Sequence, residues 1–118
     1  MAKLMHDRPL VYVAGPYTNP DPIRNTHDAI RWGDRINDDG HGTAFVPRLS
    51  LLWHMVCPHG DVEYWYEFDL TILKRADALF RFPGRSSDAD REVEFAVLHN
   101  IPVFYDYEDL TAWLQARA

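Results

Sequence analysis

The 118-residue chain is about one domain's worth of sequence, and 47% hydrophobic with 25% charged residues is an ordinary globular composition. A formal net charge of −6 without a basic stripe excludes binding of a nucleic-acid polymer by bulk electrostatics, while a few local donors still suffice for one small anion. A single cysteine, Cys57, excludes an internal disulfide; with no apolar run long enough to span a bilayer and a polar Met1–Arg8 stretch lacking a signal-peptide core, a cytoplasmic protein is expected.

Leu10–Ala14 (LVYVA) is a short apolar run stopped by Gly15-Pro16 and predicts a buried first strand. Tyr17–Pro22 holds Thr, Asn, Asp and two prolines, so it predicts a loop. Ile23–Asp38 carries apolar residues at Ile23, Ala29, Ile30, Trp32 and Ile36 and ends at Asp39-Gly40, the pattern of a helix with its stop signal. Thr43–Val46 predicts a second strand, closed by Pro47. Arg48–Gly60 mixes leucines, Trp53 and Met55 with His54, Cys57 and His59 and predicts a loop or short helix over a pocket.

Asp61–Ala76 predicts a helix, Ala78–Phe82 a third strand closed by Pro83-Gly84, Asp88–Asn100 a helix and Pro102–Tyr105 a fourth strand. Tyr107–Ala116 predicts a final amphipathic helix with Leu110, Trp113 and Leu114 on one side. Strict strand–helix alternation implies an α/β fold with a parallel sheet covered on both faces and right-handed crossovers. Ligands in such folds sit at the carboxyl ends of the strands. Those ends are Gly15–Tyr17, Pro47–Leu49 and Pro83–Ser87.

Three groups near those ends can carry chemistry. Asp69 shares a helical stripe with Val62, Trp65, Ile72 and Ala76, and an acid inside a buried stripe must be paired or used. The neighbouring stripe Tyr66, Leu70 and Leu73 is an alternative core face, which would turn Asp69 outward. Ser87 with Asp90 matches a capping box that starts a helix near Asp88. Glu92 then lies about one turn inside, beside a sheet-facing stripe of Val93, Ala96 and Val97, where the helix dipole favours its ionised form. Residue type alone is equally met by a first-turn glutamate that only stabilises the helix; Glu94 is expected to face solvent. Tyr12, in the first strand, can hydrogen-bond a carboxylate, and Gly15 lets backbone approach a ligand closely, although a core tyrosine and a turn glycine fit the same letters.

His54, Cys57 and His59 have H-x2-C-x-H spacing but no evident fourth ligand, so no metal site is expected. The chain has no G-x-S-x-G elbow, no P-loop and no G-x-G-x-x-G, which disfavours a dinucleotide fold of that type.

Taken together, VYVAGPYTNPDP, FVPRLS and YWYEFDLTILKRADALFRFPGRSSDADREVEFAVLHNIPVFY resemble the nucleoside 2-deoxyribosyltransferase superfamily over roughly Leu10 to Tyr105. The likeness is to its small branches that open with a YLAGPY-like strand and loop, and to nucleoside 5′-monophosphate N-glycosidases. The most specific part is an Asp near the start of DLTILKRADAL paired with a Glu in an S-x5-E pattern after the next strand. The resemblance implies a flavodoxin-like three-layer α/β/α sandwich with a mainly parallel sheet of four to five strands, working as a homodimer or larger homo-oligomer. It places the nucleophile on Glu92, the aspartate that positions or protonates the base on Asp69, and the tyrosine that orients the nucleophile on Tyr12. Gly15, Pro16 and Tyr17 become substrate-binding residues.

Position 86, six before the nucleophile, carries Asp in family members acting on unphosphorylated nucleosides and Ser in those acting on 5′-monophosphates. Here it is Ser86, and Ser87, the helix amides and Arg85 could complete a phosphate site. Where the family often has Gly, this chain has Asp88 and Asp90, whose charges oppose a phosphate. The implied reaction is retaining cleavage of an N-glycosidic bond with no cofactor and no metal, by carboxylates about 5 Å apart. Hydrolysis is favoured over base exchange between deoxynucleosides. The rivals are a non-catalytic nucleotide sensor and an enzyme cleaving the nicotinamide ribose bond of a dinucleotide.

Overall fold

A computed structural model describes residues 3–17, 21–47, 49–61 and 63–117. After a 3-10 turn at Met5–Asp7 the chain forms β1 (Leu10–Ala14), α1 (Pro22–Asp39), β2 (Thr43–Phe45), α2 (Leu51–Val56) and α3 (Glu63–Leu73). It continues with β3 (Ala78–Arg81), α4 (Ser87–Leu98), β4 (Val103–Phe104) and α5 (Tyr107–Ala116). The four strands make one parallel sheet in the order β2-β1-β3-β4. The fold is the expected flavodoxin-like α/β sandwich, with the sheet at four strands. Of the expected loop Tyr17–Pro22 and the segment Arg48–Gly60, Thr18, Asn19, Pro20 and Arg48 lie outside the described residues, as does Val62 of the predicted helical stripe.

Side-chain parity on β1 organises the molecule. Val11 and Val13 point into one core with Ala29, Ile36, Ala78, Phe80, Leu110 and Leu114, under α1 and α5. Tyr12 and Ala14 point the other way, into a core with Leu73, Leu79, Ala89 and Ala96 under α3 and α4. Every large side chain buried in these layers contributes about 1.5–3 kcal/mol. Tyr12 is thereby aimed at the α3–α4 layer by a period of two.

The helix ends follow local chemistry. Asp21 caps α1 by accepting from the Ile23 amide (3.0 Å), with Pro22 at the first helical position. Asp61 accepts from the Glu63 amide (2.9 Å), so α3 starts two residues later than the periodicity predicts. Ser86, not Ser87, caps α4, its Oγ accepting from the Ala89 amide (3.0 Å). The predicted capping box is therefore replaced by a single cap one residue earlier. The buried stripe of α4 is Ala89, Glu92 and Ala96, and that rotation leaves Val97 62% exposed rather than on the sheet. On α1 the inner stripe is Asn25, Ala29, Gly33 and Ile36, which leaves Ile23 and Ile30 of the apolar pattern exposed.

Candidate active site

All four parallel strands end on the same edge, and the inward stripes of α3 and α4 bring two acids to it. Glu92, on the second turn of α4, is buried, and the Tyr12 hydroxyl donates a hydrogen bond to its Oε2. The two residues are 80 positions apart in sequence and meet because strand parity and the α4 stripe point into one layer. Asp69 is 1% exposed on the inner face of α3, which settles the choice between stripes: Trp65, Tyr66, Asp69 and Leu73 all face inward. Glu94 is exposed, as expected.

Glu92 opens onto a small chamber of ≈ 20 Å³, room for about one water, walled by Gly15, Pro16, Tyr17, Asn25, Phe82 and Asp88. Tyr17 and Asp88 are shared with a larger cleft of ≈ 530 Å³, whose other walls include His54, His59, Trp65, Tyr66 and Arg91. On the opposite side Pro16, Asn25 and Phe82 are shared with a second cleft that reaches Arg85. The small chamber at Glu92 thus shares walls with both the cleft that holds the histidines and the one that holds Arg85. The predicted segment Arg48–Gly60 does cover a pocket: its helical part is α2, which supplies His54. Asp69 is absent from the walls of these cavities; it lies one turn along α3 from the cleft-lining Trp65 and Tyr66.

The residues after β1 and β3 hold each other in place. A Cβ at Gly15 would lie 2.1 Å from the Phe82 ring, so the glycine is required by that ring as much as by any ligand. Gly84, in the left-handed region at φ 125, would press a Cβ to within 2.4 Å of Pro16. Arg81, buried on β3 beside Ala14, donates to the carbonyl oxygens of Phe82 and Gly84, the latter at 2.6 Å. Its Nη2 also faces Asp90 Oδ1 at 3.6 Å. Asn25, 6% exposed, donates to the Tyr17 carbonyl (2.9 Å) and so ties Tyr17 to α1.

The β3–α4 turn also has structural roles. Ser86 Oγ is already a helix cap, and Ser87 is the first residue of α4, exposed and in neither wall of the chamber nor of the larger cleft. Of the two acids expected to oppose a phosphate, Asp90 is answered by Arg81, whereas Asp88 faces the chamber with Arg91 Nη1 at 3.9 Å from its Oδ1.

Tyr66 and Arg91 belong to the site without having been singled out by sequence. Arg91 pairs with Glu63 (3.2 Å), tying α4 to α3, and its guanidinium lies 4.0 Å above the centre of the Tyr66 ring. The Glu63 hydrogen bond holds the Arg91 pKa above its ordinary value. Burial, opposed by Arg91 and reinforced by the charge of Glu92, raises the Tyr66 phenol, which stays protonated at neutral pH. Only the spacing Glu63–Tyr66 and the position of Arg91 beside Glu92 hinted at this, and neither spacing is distinctive.

No family model and no curated protein matches the chain. Among solved structures, a 2-deoxyribosyltransferase from the psychrotolerant bacterium Bacillus psychrosaccharolyticus aligns over 80% of this chain and 69% of that chain, with a TM-score of 0.53 and 23% identity. The two chains share a fold. Identity at that level carries the architecture and leaves the chemistry to the residues. Among the described residues no helix is long and apolar enough to cross a membrane, and no cluster of three His, Cys, Asp or Glu side chains is arranged to hold a metal ion.

Proposed function

We propose that the protein cleaves the N-glycosidic bond of a nucleoside, deoxynucleoside or nucleoside 5′-monophosphate, with Glu92 as nucleophile and water as the favoured acceptor. The observation that carries this reading is the buried Glu92 carboxylate held by Tyr12 at the edge where the parallel strands end. A glycosidic nucleophile must be ionised and fixed, and a charge-assisted hydrogen bond from a buried phenol serves both needs. The fold shared with a 2-deoxyribosyltransferase supports the same class of chemistry.

In the first step a Glu92 oxygen attacks the anomeric carbon from the chamber, and the bond to the base nitrogen breaks with its electron pair going to the base. Asp69 supplies the proton that the departing base takes up. In the second step water attacks the anomeric carbon, the bond to Glu92 breaks and regenerates the carboxylate, and the water's proton returns to Asp69. The larger cleft receives the base, Gly15, Pro16 and Tyr17 flank the sugar, and the 5′ end runs toward Arg85, with Ser86 and Ser87 next to it in the chain as its expected partners. No cofactor enters these steps. The reading extends to one domain over residues 1–118, assembled as a homodimer or larger homo-oligomer in the cytoplasm.

The test is a chromatographic screen for free base against nucleosides, deoxynucleosides and their 5′-monophosphates, with and without an acceptor base. Glu92→Gln should lower turnover at least about 10³-fold, as expected for loss of a covalent nucleophile. Base release by Glu92→Gln at the parent rate refutes the assignment, and nucleotide binding without turnover in the parent leaves a sensor instead. Base exchange in place of free sugar makes the protein a transferase.

A further inference from the structure

His54 sits on α2 and lines the larger cleft together with Arg91, and two donors converge on one of its ring nitrogens. The Trp65 indole N–H donates to His54 Nδ1 at 2.9 Å, and the His59 amide approaches the same nitrogen at 3.3 Å. An indole nitrogen and a backbone amide can only donate, so Nδ1 must be the acceptor. In the neutral imidazole the proton then lies on Nε2. The residue is half-buried in the cleft wall.

Trp65 itself is closely packed. It is buried, and its ring packs edge-on against Trp53 (5.3 Å), His59 (5.6 Å), Tyr64 (4.8 Å) and Phe68 (5.4 Å). A rigid indole that dictates the tautomer of a cleft histidine is the arrangement of a fixed hydrogen-bond donor backed by a second layer. The six-residue α2 has no buried residue of its own, so this contact and the aromatic packing locate His54.

We infer that His54, locked by Trp65 as the Nε2–H tautomer, is a specificity-determining residue that donates to an acceptor atom on the edge of the leaving base. Trp65 is its positioning residue. The inference rests on the proposed glycosidic reaction for the meaning of the cleft, but the tautomer and the binding of a free base are measurable without turnover.

Nitrogen-15 NMR of histidine-labelled protein at neutral pH should show His54 with an unprotonated Nδ1 and a protonated Nε2. Trp65→Phe, which keeps an aromatic ring and removes the donor, should convert it to a mixture of tautomers. Adenine, hypoxanthine, uracil, cytosine and thymine are then titrated calorimetrically into the parent and three variants. At least one base should bind the parent and lose about tenfold in His54→Phe, with His54→Gln, which returns an N–H donor near Nε2, recovering to within about threefold. Trp65→Phe should fall between the two.

An Nδ1–H signature in the parent overturns the inference, and so does equal affinity of every binding base for the parent and His54→Phe. So does the absence of binding by all five bases. Failure of the enzymatic reading would look different: bases that bind His54-dependently while no nucleoside or nucleotide is cleaved.

Discussion

Replacing Tyr12 by Phe tests the contact on which the site depends. Tyr12 is fully buried and Glu92 is 6% exposed, so bulk solvent has little access to replace the lost hydrogen bond. A buried bond to an ionised group contributes about 1.5–3 kcal/mol, against about 0.5–1.5 kcal/mol for a neutral pair. Tyr12→Phe should therefore destabilise the parent by about 1.5–3 kcal/mol at pH 7. In a Glu92→Gln background, where the partner is a neutral amide, the same change should cost only the smaller amount. The difference, about 1–1.5 kcal/mol of coupling, is read from urea unfolding of the four proteins with a common m-value. The single variant should also lose at least about tenfold in kcat/KM, because the nucleophile loses the bond from the phenol. Equal destabilisation in the two backgrounds would refute the argument, since the hydroxyl would then be sensing something other than the charge on Glu92.

Gly15→Ala should cost about 1–3 kcal/mol by forcing a methyl into the Phe82 ring, 2.1 Å away, and Gly15→Ala combined with Phe82→Leu should recover part of that loss in the same unfolding assay. Ser86→Ala removes the α4 cap and should lower stability by about 0.5–2 kcal/mol, while Ser86→Asp should restore it. If Ser86 also meets a 5′-phosphate, Ser86→Asp will be stable yet lose turnover of the monophosphate relative to the nucleoside; unchanged relative rates would confine the residue to capping. Tyr107 ties α5 to α1 through its hydroxyl bond to Asp39, and burial first, that bond second, raises its pKa above the usual 10. A raised folded-state pKa means its contribution is fully present below pH 10 and is lost as pH rises through the folded value, so Tyr107→Phe should flatten the alkaline fall of the urea midpoint.

The architecture was legible because each strand is a short, mainly apolar run, three of the four closed by Gly or Pro, and because length separates those runs from the helices between them. LVYVA ending at Gly15-Pro16 is the plainest case. Helix rotation was harder to read. On α4 the valines drew the predicted face toward Val97, yet the stripe that reaches the sheet is Ala89, Glu92 and Ala96, because small residues let the helix approach a sheet that already presents Tyr12 and Leu79. Hydrophobicity counts favour the larger side chain; close packing favours the smaller one.

The same limit explains the site. Tyr12 and Glu92 could be brought together only by adding strand parity to helix rotation, and an error of one position in either would have put the carboxylate in solvent. The Trp65–His54 bond was illegible for a different reason. It joins two segments, LLWHM and EYWYEF, whose aromatic letters read as packing surface, and nothing in a list of residues says that an indole N–H will spend its one donor on an imidazole. Aromatic residues that look like filling carry directional hydrogen-bonding groups at their rims. Where such a group is buried its partner is forced, and the forced partner here is a histidine facing the cleft that adjoins Glu92. The chemistry around that carboxylate is therefore set twice, once by the phenol that holds it and once by the indole that fixes what the far wall can recognise.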